Sequence, residues 1–258
     1  MLNKILEVKQ QEVIELKLPT QQEVEKRSFY EALSDPNRSL GLIAEVKRAS
    51  PSKGIINDKI DPVEVAKSYQ SAGADAISVL TDQQFFKGHI EDLIAVKQAV
   101  NIPVLRKDFI VDQKQIEESS RIGADVILLI VAALGAEKTF EFYKEAERFG
   151  LECLVEVHGK EELLELLKVF TPKVIGVNNR NLKTFQTSIE ETEKVIEVMP
   201  KDALLISESG IHNVEDIRRV KALGARGVLV GEALMKAETP ELGINHLFGG
   251  ERVGTSAT

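Results

Sequence analysis

The chain has 258 residues, 43% of them hydrophobic and 29% charged, with a formal charge of −8. That length fits one large α/β barrel or two small domains, and the negative balance argues against a nucleic-acid backbone or an acidic membrane as the main partner. The single cysteine, Cys153, excludes an internal disulfide and a cysteine-built metal site.

The stretch Met1-Leu2-Asn3-Lys4-Ile5-Leu6-Glu7-Val8-Lys9 becomes charged too early for a signal peptide, and no run approaches the ~18–20 apolar residues of a membrane span. A reduced, cytoplasmic protein is expected. Residues 2–17 place Leu2, Ile5, Leu6, Val13, Ile14 and Leu16 among Lys, Glu and Gln, a helical pattern. A second charged, weakly helical stretch runs to about residue 34, where Asp35-Pro36-Asn37-Arg38 breaks it. Residues 1–40 therefore read as a helical extension without a strand.

From residue 42 short β-rich runs alternate with amphipathic stretches. The runs are Leu42–Val46, Ala76–Leu80, Pro103–Leu105, Val126–Val131, Glu152–Val157, Lys173–Val177, Leu204–Ser207 and Gly227–Val230. Helices are expected over Pro62–Ala72, Ile90–Val100, Lys114–Arg121, Glu137–Phe149, Lys160–Val169, Ile189–Val198 and Val214–Ala222. Eight such runs match a (β/α)8 barrel in a single domain, residues 1–258. Gly-Ala-Asp or Gly-Ala-Arg before three strands (Gly73, Gly123, Gly224) fits helix ends turning into strands. An open doubly wound sheet would not need eight units, and no Gly-x-Gly-x-x-Gly follows the first strand.

Charged and hydroxyl groups recur where the apolar runs stop, as expected of a site at one face of a parallel barrel. Glu45 and Lys47 stand two apart and share a face, with a strand-end salt bridge as the alternative. Lys107 stands at the end of the third strand, and Glu156 interrupts the fifth run, where a surface position is hard to justify. Asn178 follows the sixth run, where a loop asparagine is the alternative, and Glu208 follows the seventh. Lys47, Arg48, Lys53, Arg106, Lys107 and Arg180 could form a basic patch. Gly210 and Gly231 follow the last two strands, where barrels often hold phosphate. Phe85, Phe86, Phe109, Leu129, Ile130 and Leu182 lie near the same ends, the adjacent Phe85 and Phe86 as an apolar wall. His89, His158, His212 and His246 show no ligand spacing; His158 reads as a polar loop residue, and no metal is expected.

Together Glu45-Val46-Lys47-Arg48-Ala49-Ser50-Pro51-Ser52-Lys53-Gly54, Leu105-Arg106-Lys107-Asp108-Phe109-Ile110, Leu154-Val155-Glu156-Val157-His158, Val177-Asn178-Asn179-Arg180-Asn181-Leu182, Ser207-Glu208-Ser209-Gly210-Ile211 and Val230-Gly231-Glu232-Ala233-Leu234-Met235 carry a resemblance. In this order they resemble the indole-3-glycerol phosphate synthase family over nearly the whole chain, the helical preface included. Lys114, His89 and the tail after Gly250 depart from its pattern.

The resemblance implies conversion of 1-(2-carboxyphenylamino)-1-deoxyribulose 5-phosphate to indole-3-glycerol phosphate, CO₂ and water, with no cofactor. It implies Lys107 as the acid that protonates the C2′ ketone oxygen. Lys47 would pair with the departing carboxylate or deliver a proton in dehydration. Glu45 and Glu156 are candidates for base and cation stabiliser, Asn178 for orienting hydroxyls, and Glu208 for holding the lysines. Ser50, Ser209, Gly210, Gly231 and the backbone N–H of Glu232 would take the phosphate. Pro51, Phe86, Phe109, Leu129, Arg180 and Leu182 would contact the rest of the substrate. A monomer is expected, with a weak dimer as the alternative. The related phosphoribosylanthranilate isomerase barrels need a cysteine base by the first strand, where this chain has Glu45 and Lys47. A barrel that only binds would not need so many desolvated charges.

Overall fold

The computed structural model describes residues 1–51, 54–57, 59–181, 186–251 and 254. Eight parallel strands close on themselves: β1 (Gly41–Val46), β2 (Ala76–Leu80), β3 (Val104–Lys107), β4 (Val126–Ile130), β5 (Glu152–Val157), β6 (Val174–Asn178), β7 (Leu204–Glu208) and β8 (Gly227–Val230). Each pairs with its sequence neighbours, and β1 closes on β8 through Ala44 opposite Val230. The strands are buried nearly end to end, as parallel strands with helices outside must be. The expected (β/α)8 barrel is thus observed.

The period of two sorts each strand into two faces. Leu42, Ala44, Val104, Ile127, Leu129, Val155, Val177 and Val228 join the outer cluster beneath the helices. Ile43, Leu105, Leu128, Leu154, Ile206 and Leu229 form the inner cluster. Continuing that inner face toward the C-terminal ends gives Glu45, Lys107, Ile130, Glu156, Asn178 and Glu208. One alternation therefore produces both a dry lower layer and a charged upper one.

The helices lie within about two residues of their expected bounds, and Pro240–Phe248 adds an eighth after β8 that the pattern reading left out. Its start is explicit in retrospect: Thr239 caps Leu242 N at 3.2 Å and Pro240 sits at the first turn. The extension differs more. Helix α1 (Leu2–Glu15) is as expected, but no helix covers residues 16–28, and α2 (Phe29–Ser34) is short. Ser28 caps α2, and Glu152 at the start of β5 accepts hydrogen bonds from Phe29 N (3.1 Å) and Tyr30 N (2.8 Å). Phe29 and Leu33 are fully buried in the inner cluster, with Leu33 beside Gly41 and Gly227 at the N-terminal strand ends. Thus α2 plugs the barrel floor while α1 lies at the opposite mouth. The buried face of α1 is Ile5, Lys9 and Val13, whereas Ile14, one of the apolar positions of the expected helix, is 70% exposed; the apolar positions alone give no reason to include a lysine in that face.

Candidate active site

The strand-end groups converge in a pocket at the C-terminal mouth, lined by Glu45, Lys47, Ser50, Pro51, Phe86, Lys107, Phe109, Glu156, Asn178, Arg180, Glu208, Ser209, Gly210, Gly231 and Glu232. Of the expected site residues, Leu129 and Leu182 are the exceptions. Leu129 faces the outer helices, and Leu128 and Ile130 line the pocket in its place, because neighbours on a strand point to opposite sides. Leu182, like Lys53 of the suggested basic patch, lies outside the described residues. Arg106 leaves that patch too: it is buried on the outer side, bound to Asp108, Glu118 and Ser119. Phe85 is not among the pocket-lining residues. Met1, Leu2 and Ile5 of α1 close the pocket from above, beside Ile211, His212 and Leu229 from the barrel.

At the centre, Lys107 Nζ stands 3.5 Å from Glu156 Oε2 and 3.5 Å from Glu208 Oε2. Across the mouth Lys47 Nζ donates to Glu45 Oε1 at 2.5 Å. Burial alone would discharge Lys107, Glu45, Glu156 and Glu208, and the charge pattern decides the direction each is shifted. For Lys107, Glu156, Glu208 and Glu45 outweigh burial and hold the ammonium above the ordinary lysine value. For Glu45, Lys47 and Lys107 outweigh burial and keep the carboxylate below its usual range. Glu156 is likewise held low against burial by Lys107, with help from His158 and Asn178.

Glu208 goes the other way. Burial raises it, and Glu156 and Glu45 add to that against Lys107. Glu208, whose Oε1 has no hydrogen-bond partner, faces the like charges of Glu156 and Glu45, and its carboxyl is held above the usual carboxylate range. Its folded-state value lies above the unfolded one. Its stabilising contribution is therefore full below the ordinary glutamate value of about 4.3 and is lost as pH rises through the raised value. Glu208→Gln, which mimics the protonated form, should flatten that loss. The thermal midpoint of the variant relative to the parent should climb with pH, and a constant difference between pH 5 and 9 would contradict the assignment.

Room for Glu208 comes from Gly176 on the adjacent strand, where a Cβ would collide with Glu208 Oε1. Gly176→Ala should displace that carboxyl and cost about 10²-fold in activity while the barrel still folds, measured by turnover beside a melting curve. His158, read above as a loop residue, sits with Nε2 3.3 Å from Glu156 Oε1 and Nδ1 3.6 Å from Glu162 Oε2. Burial opposes its charge, but the two carboxylates push its pKa up to about 10, so it buttresses Glu156 as an imidazolium. The i, i+2 spacing from Glu156 was the available signal.

One wall is aromatic: the Phe86 and Phe109 rings lie 6.2 Å apart at 39°. Phe86 ends a one-turn helix (Gln83–Phe86) capped by Asp82, which accepts from Phe85 N at 2.7 Å and Phe86 N at 3.1 Å. At the other end Ser209 (φ 66°) and Gly210 (φ 77°) take left-handed backbone conformations, with Asn179 Nδ2 donating to the Ser209 carbonyl at 3.1 Å. Gly231 opens the one-turn helix Glu232–Met235, and the Glu232 carboxylate is engaged by Lys236 Nζ at 2.7 Å. Glu232 stands at the first turn of that helix, so its backbone N–H belongs to the end of the helix that faces the mouth.

A closed parallel barrel with two ammonium groups, three carboxyls and an aromatic wall at its C-terminal mouth defines an acid–base enzyme of the (β/α)8 class. Residues 2–247 match the family model described as indole-3-glycerol phosphate synthase. Proteins of that name from Halalkalibacterium halodurans and Priestia megaterium are 60% and 57% identical, covering 100% and 96% of this chain and 100% and 98% of their own lengths. The Geobacillus kaustophilus protein of the same name is 54% identical over 97% of this chain and 98% of its own. Among solved structures, an N-acetylmannosamine-6-phosphate 2-epimerase from Clostridium perfringens aligns with a TM-score of 0.59 at 13% identity, over 81% of this chain and 92% of that one, a likeness of fold. The chain belongs to the indole-3-glycerol phosphate synthase family. It is a carboxy-lyase of tryptophan biosynthesis acting on a small phosphorylated substrate. Among the described residues no helix is long and apolar enough to cross a membrane.

Proposed function

We propose that the mouth residues divide the conversion of 1-(2-carboxyphenylamino)-1-deoxyribulose 5-phosphate into indole-3-glycerol phosphate as follows. The observation that carries the reading is the Lys107 ammonium between Glu156 and Glu208, facing a wall of Phe86 and Phe109. The anthranilate ring lies against that wall with the ribulose chain across the centre. As the ring carbon bearing the carboxylate bonds to C2′, the ketone oxygen takes its proton from Lys107. The ring then carries positive charge, which Glu156 stabilises until CO₂ leaves and its bonding electrons restore the aromatic ring. The C2′ hydroxyl departs as water with a proton from Lys47, and Glu45 takes the proton lost from C1′. The contact of 2.5 Å between Glu45 and Lys47 lets that proton return within the pair. Lys107 is recharged from solvent, so one proton is consumed per turnover. Asn178 orients the hydroxyls, Glu208 fixes Lys107 from the opposite side, and Pro51 and Arg180 border the substrate.

The phosphate would sit among Ser50, Ser209, Gly210, Gly231 and the backbone of Glu232. Inorganic phosphate and sulfate should then compete with substrate, raising KM without changing kcat; non-competitive or absent inhibition would move the phosphate elsewhere. A side chain at Gly231 is a blunter probe, because its Cβ would lie 3.1 Å from Lys47 Nζ and against Glu45. Gly231→Val should therefore lower kcat as well as raise KM. We read the protein as a single barrel domain that works as a monomer in the cytoplasm, supported by its net charge of −8 and by large exposed hydrophobics that are scattered along the chain, such as Ile14, Phe140 and Leu242. Fluorescence of indole-3-glycerol phosphate formed from the carboxyphenylamino substrate by the purified protein tests the reaction; no product would refute it.

A further inference from the structure

Lys9 is 3% exposed although it lies on a terminal helix at the barrel mouth. Its ammonium meets Glu12 at 2.8 Å, Asp108 at 2.9 Å and Asp82 at 3.0 Å, and the two aspartates are themselves buried. Lysine is almost never buried so fully unless paired, and here the partners come from three separate elements. Burial opposes the charge, but Asp108 and Asp82 outweigh it and hold Lys9 above the ordinary lysine value.

Each aspartate also has a second task. The other oxygen of Asp82 caps the turn that carries Phe86. Asp108 follows Lys107 directly; its Oδ1 accepts from Phe109 N at 2.8 Å, and its Oδ2 accepts from Thr81 Oγ1 at 2.6 Å and Arg106 Nη2 at 3.2 Å. One turn before Lys9 on the same helix face, Ile5 lines the pocket. The carboxylates that set the backbone of Phe86 and Phe109 therefore share a single cation, and that cation belongs to the lid.

We infer that Lys9 is a positioning residue for the reaction: it ties α1 to the two loops that carry Phe86 and Phe109, so that seating the lid and setting the aromatic wall are one event. This rests on the mouth being the active site. Without Lys9, buried Asp82 would lose its ammonium partner and buried Asp108 would keep only Arg106, and the loops would separate or take in water. The wall would widen before the charged centre did. The effect should therefore fall on substrate binding more than on the acid–base step.

Lys9→Met, Lys9→Arg and Lys9→Met/Asp82→Asn test this by steady-state kinetics beside thermal melting. The asparagine keeps an acceptor for Phe85 N and Phe86 N while removing one unpaired charge, so the double variant reports even if Lys9→Met fails to fold. The expected result is a KM raised about tenfold or more in the methionine variants with a smaller change in kcat, and recovery in Lys9→Arg. Lys9→Met and Phe86→Leu should also be non-additive in kcat/KM, because the first already loosens what the second removes. A lower melting point with unchanged KM, or strict additivity with Phe86→Leu, would make Lys9 a structural ion pair and overturn the inference. Loss of turnover in the parent protein would instead strike the assignment of the reaction.

Discussion

Lys107→Met should lower kcat by about 10²–10⁴-fold, the usual worth of a positioned general acid, and leave the barrel folded. The side chain is close to isosteric with lysine and sits above the dry inner layer, so the substitution removes a charge rather than a packing element. It also removes the cation that holds Glu156 ionised, which should drive that carboxylate to take up a proton. The variant is therefore expected to melt within a few degrees of the parent, since the freed Glu156 neutralises instead of remaining as an uncompensated charge. Stopped-flow fluorescence should place the loss in the chemical step and leave substrate binding within a few-fold. Near-normal turnover in a folded Lys107→Met protein would remove Lys107 from the mechanism.

The second large effect separates the two halves of the extension. A chain lacking residues 1–16 loses Met1, Leu2 and Ile5 from the roof of the pocket and Lys9 from its junction, while Phe29 and Leu33 stay in the floor. Water then reaches Lys47, Lys107 and Glu156, weakening their interactions with developing charge, so kcat/KM should fall by at least about tenfold with a modest loss of melting temperature. A chain starting at Ser39 also loses the floor. Phe29 and Leu33 are both fully buried, and truncations of such residues cost about 2–5 kcal/mol each, a large part of the ~5–15 kcal/mol that stabilises a typical domain. That chain should melt far lower or fail to fold. Equal melting points for the two truncations would contradict the division of the extension into lid and plug, and unchanged kinetics in the shorter deletion would reduce α1 to packing.

The barrel was legible because its strands are apolar runs that stop at charged residues, and because the same stop recurs at nearly every strand. Glu45, Lys47, Lys107, Glu156, Asn178 and Glu208 are visible in the sequence for the reason that they work together in space: each continues the inward face of its strand by two residues. Leu129 shows where that reading fails. Inside the continuous apolar run Val126–Val131, nothing marks which alternate residues face the axis, and only the register with Glu156 across from Ile130 assigns Leu128 and Ile130 to the pocket. Lys9 and α2 were hidden for another reason. A lysine among Glu and Gln reads as a solvated face until its partners at residues 82 and 108 are known to meet it, and those contacts span too much sequence for any local pattern. The floor helix is six residues long, too short for periodicity to register, and its stability comes from Glu152 and the inner cluster instead of its own sequence.

The most direct test of the central claim, that the strand-end charges act on a substrate held by its phosphate at β7–β8 and by its ring at Phe86–Phe109, is a crystal structure of the protein with indole-3-glycerol phosphate. The phosphate oxygens should lie within hydrogen-bond reach, about 3 Å, of the backbone N–H groups of Gly210 and Glu232, the indole should contact Phe86 and Phe109, and Lys107 Nζ should be the ammonium nearest the ring carbon that carried the ketone oxygen. A product bound with its phosphate elsewhere, or with Lys107 beyond the reach of one bridging water from that carbon's face, would contradict the account.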